Sequence, residues 1–266
     1  MTSVLSFDVG IKNLACCLLT RTGTGKAFEV KSWRWYDVTQ FGTKEQPVAK
    51  STAGKVKQKV AGKCVAPLRK GGKQCGKNGH VGPGGKIVCG THDTSRKHKP
   101  EDTQRWCYHL LCALPEIAKD LNLADYDPST LTVAIEQQTT QNRKMLLQGH
   151  VIYGFFVQYF QNEVPVKFVG AYNKLLVYGG PEVSCHLKTP YARRKYLAKR
   201  HAELMLGQGE ENRPWVEFFA SCKAKQDDIA DALLQGLFVL FGKATTPKSS
   251  SAGGLEVKRR RRRARF

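Results

Sequence analysis

Four acidic side chains, Asp8, Glu136, Asp228 and Asp231, stand in apolar surroundings where a charge is costly. Asp8 lies in the middle of VLSFDVGIKNLACCLL, Val4 to Leu19, where Leu5, Phe7 and Val9 alternate with Ser6 and Asp8. Glu136 closes the apolar run Leu131 to Ile135. Asp228 and Asp231 sit three apart in QDDIADALLQGLFVLF, and Asp227 and Asp231 sit four apart, so each pair points the same way from a helix. A first-turn acid at Asp227 is explained by helix capping and the helix dipole, but Asp231, deeper among Ala230, Ala232 and Leu233, is not. Clustered carboxylates repel one another unless a cation sits between them. Hard oxygen ligands on rigid elements suit Mg²⁺ or Mn²⁺. Two such ions about 4 Å apart would activate a water and stabilise a leaving 3′-oxygen, which is phosphodiester hydrolysis.

A second constellation has softer ligands. Cys64, Cys75, Cys89 and His92 give the spacing C-x10-C-x13-C-x2-H, which suits a closed tetrahedral zinc site. Its last four residues, Cys89-Gly90-Thr91-His92, are the most specific part; the first half is loose. His80 and His98 are alternative ligands to His92, although neither has the two-residue spacing from a cysteine. KCVAPLRKGGKQC followed by CGTH also resembles small Cys3His modules of large DNA viruses.

The elements that must position these residues can be read from their periodicity. Val4 to Val9 is expected to be a strand with one covered face, turning at Gly10 into a second strand, Leu14 to Leu19. Ala27 to Tyr36 alternates as a third antiparallel strand. From about Gln40 to Pro100 apolar periodicity fails, so this Lys- and Gly-rich segment reads as an insertion held by something other than a hydrophobic core. A helix is expected over Thr103 to Leu121, N-capped by Asp102 or Thr103. Leu131 to Ile135 reads as a buried parallel strand, placing Glu136 at its C-terminal end, the edge where open α/β sheets hold their sites. A helix from about Gln141 to Phe160 carries Arg143 and Lys144 in its first turn, unfavourable for the dipole and suited to phosphate. Val164 to Val169 is a further strand and Asn173 to Tyr178 a short helix or turn with Lys174 as another phosphate ligand. Pro190 to Leu206 is a helix whose Arg193, Arg194, Lys195, Lys199 and Arg200 make a basic face. Trp215 to Phe219 is a turn of helix, and Gln226 to Phe241 is the last helix.

Composition narrows the partners. The net charge is +21, of which residues 257–266, VKRRRRRARF, contribute +7 and residues 40–100 contribute +12, leaving +2 for the remainder. A nearly neutral core with a basic insertion and a basic tail fits a polyanion-binding protein, nucleic acid first. No apolar run approaches a membrane span and no signal-like segment opens the chain, so a soluble, intracellular protein is expected. Nine cysteines, with Cys16 and Cys17 adjacent in a strand, make a poor disulfide framework.

Asp8-Val9-Gly10-Ile11-Lys12-Asn13-Leu14-Ala15, Ile135-Glu136-Gln137-Gln138 and Asp227-Asp228-Ile229-Ala230-Asp231-Ala232-Leu233 closely resemble the three signature blocks of the RuvC-like Holliday junction resolvases, in the branch shared by poxviruses and fungal mitochondria. The resemblance runs in order over about residues 3–242, with the 40–100 insertion and the Arg-rich tail outside it. It implies an RNase H-like α/β fold, a five-stranded mixed sheet flanked by helices. The nuclease domain would span residues 1–39 and 101–245, with a basic Cys3His insertion at 40–100 and a tail at 246–266. It implies a homodimer that cuts two opposed strands of a four-way DNA junction, with Asp8, Glu136, Asp228 and Asp231 as ligands for two magnesium or manganese ions. Asp227 is then a spare acid, and Lys225 binds phosphate or positions the attacking water. The nucleus, or the site of viral replication in a host cell, is the implied location.

Two other readings stand beside this one. The same acids would serve an RNase H-like nuclease acting on hybrids, flaps or other branched nucleic acids, because they address phosphates rather than bases. A non-catalytic zinc-containing nucleic-acid-binding protein would instead keep the acids for structure. VKRRRRRARF fits both a nuclear localisation signal and a packaging contact.

Overall fold

A computed structural model describes residues 1–42, 62–68, 74–81, 85–89, 91–92, 100–223 and 225–244. The tail at 246–266, and within the insertion His98 and Gly90, lie outside the described residues. Strands β1 (Ser3–Val9), β2 (Asn13–Arg21) and β3 (Phe28–Asp37) form an antiparallel meander. The chain later returns through β7 (Leu131–Gln137), which pairs parallel to β1, and β8 (Val166–Gly170), which pairs parallel to β7. The sheet order is β3-β2-β1-β7-β8, so β1 is central.

Both faces of β1 are covered, not one. Leu5, Phe7 and Val9 face a core with Leu110, Leu114 and Ile117 of helix α1 (Pro100–Asp120) and Ile152 and Phe156 of α2 (Arg143–Tyr159). The opposite face of β1 packs beneath α5 (Gln226–Phe241), and α3 (Pro190–Leu206) and α4 (Arg213–Ser221) complete that layer over β2 and β3. Ser6, which alternation assigns to an open face, is fully buried there. Its polar side chain is satisfied by Gln235, whose Nε2 donates to Ser6 Oγ at 3.1 Å, to Phe7 O at 3.1 Å and to Ala134 O at 3.2 Å. One buried amide thus ties α5 to the two strands that carry Asp8 and Glu136. Helix and sheet come this close because the next residue is glycine: a Cβ on Gly236 would stand 2.6 Å from Leu19 Cδ1.

The outer edge at β3 is covered by side chains. Asn212 mimics a neighbouring strand, accepting from Val30 N and donating to Phe28 O, both at 2.9 Å, while Trp215 Nε1 donates to Val30 O at 2.7 Å. These bonds occupy backbone groups that would otherwise template another strand. Trp33, fully buried, stacks on Phe219 and donates from Nε1 to Ile229 O at 2.9 Å, fixing the start of α5.

Helix α1 starts at Pro100, so Asp102 and Thr103 lie inside it rather than capping it. A proline in the first turn gives up an N–H that has no helical acceptor there and presets the helical φ. Thr189 does cap α3, its Oγ1 accepting from Ala192 N at 3.2 Å. The expected turn at Trp215 extends to the nine residues of α4. Within the insertion, β4 (Gly62–Lys63), β5 (Asn78–Val81) and β6 (Ile87–Val88) form a separate three-stranded antiparallel sheet. Among the described residues, no helix is long and apolar enough to cross a membrane.

Candidate active site and metal centre

The acids gather at the C-terminal ends of β1 and β7. Parallel pairing sets Phe7 opposite Ile135, so Asp8 and Glu136 leave neighbouring strands one step further on, toward α5. Asp231 reaches the same place from α5, and the three carboxylates converge on Lys174, in the short 3₁₀ turn Asn173–Leu176 after β8. The Lys174 ammonium is 2.5 Å from Asp231, 3.1 Å from Glu136 and 4.0 Å from Asp8. The lysine side chain is 11% exposed and the acids 10–25%. Gln138 donates from Nε2 to Glu136 Oε2 at 2.6 Å, which orients that carboxylate.

Burial, then the neighbouring Glu136, push Asp8 well above the ordinary carboxylate range, against the pull of Lys174. Burial also raises Asp231, again against Lys174. Lys174 moves up: burial disfavours its charge, but the three carboxylates outweigh burial. Three acids facing one ammonium leave an excess of negative charge in a poorly solvated place. In this structure Lys174 is the cation these carboxylates share, and carboxylate oxygens on rigid elements are donors of the kind that could hold magnesium or manganese.

Asp228 is not brought into this trio. It lies 3.7 Å from Lys225, and burial together with Asp227 raises its pKa. Asp227 pairs with Lys195 of α3, which holds its carboxyl below the ordinary range despite burial. Of the other cations singled out, Arg143 is exposed, whereas Lys144 lies over the Trp106 ring, 3.8 Å from its centroid, and so links α2 to α1. Arg193 donates to Leu187 O at 3.4 Å, and Arg194 is exposed near Lys174.

Gln138 and Gln235 are the positions that sequence reasoning gave no role. Each carried a signal: Gln138 is two residues past Glu136 and so on its face, and Gln235 is one helical turn past Asp231.

In the insertion, the ligand atoms of Cys64, Cys75, Cys89 and His92 all lie within 4.8 Å of one another. Cys64 Sγ and Cys89 Sγ are each 3.5 Å from His92 Nδ1, and Cys75 Sγ is 3.8 Å from Cys89 Sγ. Tetrahedral zinc, with Zn–S of about 2.3 Å and Zn–N of about 2.0–2.1 Å, requires S···N edges of about 3.6 Å and S···S edges of about 3.8 Å. The four residues therefore fit zinc. Burial pushes the Cys89 thiol up, but the backbone N–H groups of His92 and Thr91, together with hydrogen bonds from the Cys75 and Cys64 thiols, outweigh it and bring it to about 6, toward the thiolate that a metal needs. His80, on β5, is not part of the cluster.

A central strand flanked by two antiparallel strands on one side and two parallel strands on the other, with acids at the ends of β1 and β7 and on the last helix, decides the architecture. The sheet topology is that of the RNase H-like fold. No family model matches the chain, and no curated protein matches it. Among solved structures, this chain is similar to fowlpox virus resolvase in complex with Holliday junction DNA, at 14% identity and a TM-score of 0.44, over 90% of this chain and 97% of that one. It is also similar to Thermus thermophilus RuvC in complex with a Holliday junction substrate, at 14% identity and a TM-score of 0.41, over 90% of this chain and 94% of that one.

Proposed function

We propose that this chain is a metal-dependent endonuclease that cuts four-way DNA junctions by paired, symmetrical nicks. The observation that carries the reading is the convergence of Asp8, Glu136 and Asp231, from three distant segments, on one point at the open end of the sheet. These three would hold the magnesium or manganese ions, and Asp228, one turn back on α5 and paired with Lys225 in this structure, would join them only by leaving that lysine. Bound there, such ions supply a Lewis acid that activates water and stabilises the leaving oxygen. Lys174 neutralises part of the acid cluster and faces the site where a scissile phosphate is held. Gln138 keeps Glu136 oriented, and the basic face of α3 with Arg143 and Lys225 follows the DNA backbone. Zinc in the Cys3His cluster braces the basic insertion, which extends the footprint on DNA. The four-way junction itself comes from the resemblance of the three sequence blocks, and two cuts on one junction require a homodimer.

The test is incubation of the protein with a fixed four-way junction and Mg²⁺. The expected result is symmetrical pairs of nicks, lost in Asp8→Asn and Glu136→Gln while junction binding is kept or strengthened, because each substitution removes repulsion against phosphate. Normal cutting by either variant would refute the assignment of the centre. A panel of three-way, flap and RNA–DNA hybrid substrates separates junction resolution from other nuclease activities on the same acids.

A further inference from the structure

The insertion leaves and rejoins the sheet at the end where the acids stand. β3 finishes at Asp37, paired with Asn13, level with the turn that follows Asp8. Val38 N then donates to Lys12 O at 2.9 Å, which ties the chain leaving β3 to that turn. From there the chain is pressed onto α1, where buried His109 donates from Nδ1 to Phe41 O at 2.5 Å. Its Nε2 accepts from Arg105 Nε at 3.3 Å, so both ring nitrogens are used. At Gly42 the backbone takes φ +68°, and a Cβ would stand 2.8 Å from both Cys112 Sγ and Tyr108 Cε1, so the position requires glycine. The return is equally confined. Pro100, the start of α1, is eight positions after His92 of the Cys3His cluster, and at about 3.5 Å per residue that stretch spans at most about 28 Å.

Two basic surfaces therefore flank the acids, on opposite faces of the sheet. On the α3 and α5 face stands Arg194, exposed beside Lys174. On the α1 and α2 face, Arg105 and Arg143 are exposed at the rim, next to Lys144 over the Trp106 ring. The insertion extends this second surface. Its described residues include Lys63, Lys77 and Lys86, all exposed, and no acid. Solvated faces usually mix both signs, so an uncompensated set of cations suits an anion. The small sheet of β4, β5 and β6 has too few residues for a core of its own, and zinc on the four ligands would fix where those lysines stand.

We propose that the Cys3His insertion grips the phosphate backbone of duplex DNA on the α1 and α2 side of the scissile phosphate, opposite Arg194, so that the cut strand is held on both sides of the acids. The inference rests on the nuclease reading of the acids and deepens it by naming the DNA segment that the insertion holds. The short tether to α1 keeps these contacts within roughly one helical turn of DNA, about 34 Å, of the rim. Phosphate contacts carry no sequence information; they set register and orientation. Two grips fix the angle at which the strand crosses the acids, whereas one leaves it free to swing.

The experiment combines phosphate ethylation interference with a salt titration of binding, on a fixed four-way junction with Ca²⁺ in place of Mg²⁺. Full-length wild type is compared with Arg194→Gln and with the triple variant Lys63→Gln, Lys77→Gln, Lys86→Gln. Wild type should show interfering phosphates on both sides of the position it cuts in Mg²⁺. The triple variant should lose those on one side only, and Arg194→Gln those on the other. In the triple variant the slope of log affinity against log salt should become shallower by about 2.7, so its affinity falls roughly 40-fold less between about 50 and 200 mM salt. The cobalt spectrum of the Cys3His cluster reports whether that variant keeps its insertion folded; if it does not, Lys77→Gln alone, with an expected slope change of about 0.9, decides on the same criteria. An unchanged pattern and slope, or loss of the same phosphates as in Arg194→Gln, overturns the inference while the nuclease reading stands. A wild-type protein that binds the junction but cuts nothing in Mg²⁺ overturns the nuclease reading instead.

Discussion

Replacing Lys174 by Met, which keeps the volume of the side chain but removes its charge, should show whether the three acids share it as their cation. At 2.5, 3.1 and 4.0 Å, each ammonium–carboxylate pair is worth roughly 4–7 kcal/mol of Coulomb attraction at an effective dielectric of about 20. Desolvating the ammonium cancels much of that attraction. The net cost of removing one partner from a buried ionic group is about 3–5 kcal/mol, and relaxation of the acids places Lys174→Met at the lower end. In a domain of this size about 3 kcal/mol lowers Tm by about 6–12 °C. The assay is thermal and urea unfolding near neutral pH, first with EDTA and then with saturating MgCl₂. With EDTA the variant should be the weaker protein. With Mg²⁺ it should recover more than the wild type gains, because the ion no longer competes with the ammonium and its binding energy adds to stability. A variant as stable as wild type in EDTA, or stabilised by Mg²⁺ no more than wild type is, would refute the shared-cation geometry.

Other outcomes follow from the same structure. Gln235→Leu removes the amide that joins α5 to β1 and β7; it should cost about 1–3 kcal/mol in urea unfolding and lower the cleavage rate more than junction affinity, through misplacement of Asp8 against Glu136. Cobalt substituted for zinc should give the absorption bands of a tetrahedral thiolate–imidazole site, and Cys89→Ser should weaken or abolish them while the melting of the main sheet persists. His201 is buried, stacked on Tyr178 with ring centroids 4.2 Å apart, and burial holds its pKa below the ordinary 6.5. The unfolded chain therefore takes up this proton first as pH falls, so the contribution is present above about 6.5 and lost below it. Unfolding curves between pH 7.5 and 5, taken as roughly the window set by that imidazole, should be flatter for His201→Phe than for wild type. Junction affinity should also fall steeply with salt, in line with a net charge of +21.

Much of this protein is local, and the sequence alone determined it. Period-2 alternation marked β1 and β3, and an apolar run after the turn at Gly10 marked β2; a short apolar run ending in Glu136 marked β7; the 3.6-residue stripe of Gln226–Phe241 marked α5 to the residue. The types and spacing of Cys64, Cys75, Cys89 and His92 announced a soft-ligand cluster, because a short C-x2-H end has little other use in a segment without a core. What tertiary structure decided was which side chains share a space. Lys174, a lone lysine in a short turn, reads locally as a surface contact for phosphate, and it is buried among three acids only because β1, β7 and α5 meet over it. Asp228 and Asp231 are three apart, yet three residues leave two side chains about 60° apart around a helix. That rotation is enough to send Asp231 to the sheet and Asp228 to Lys225. Ser6 and the second face of β1 were hidden for the same reason: alternation reports polarity, and a buried polar side chain satisfied by Gln235, distant in sequence, looks identical to one satisfied by water.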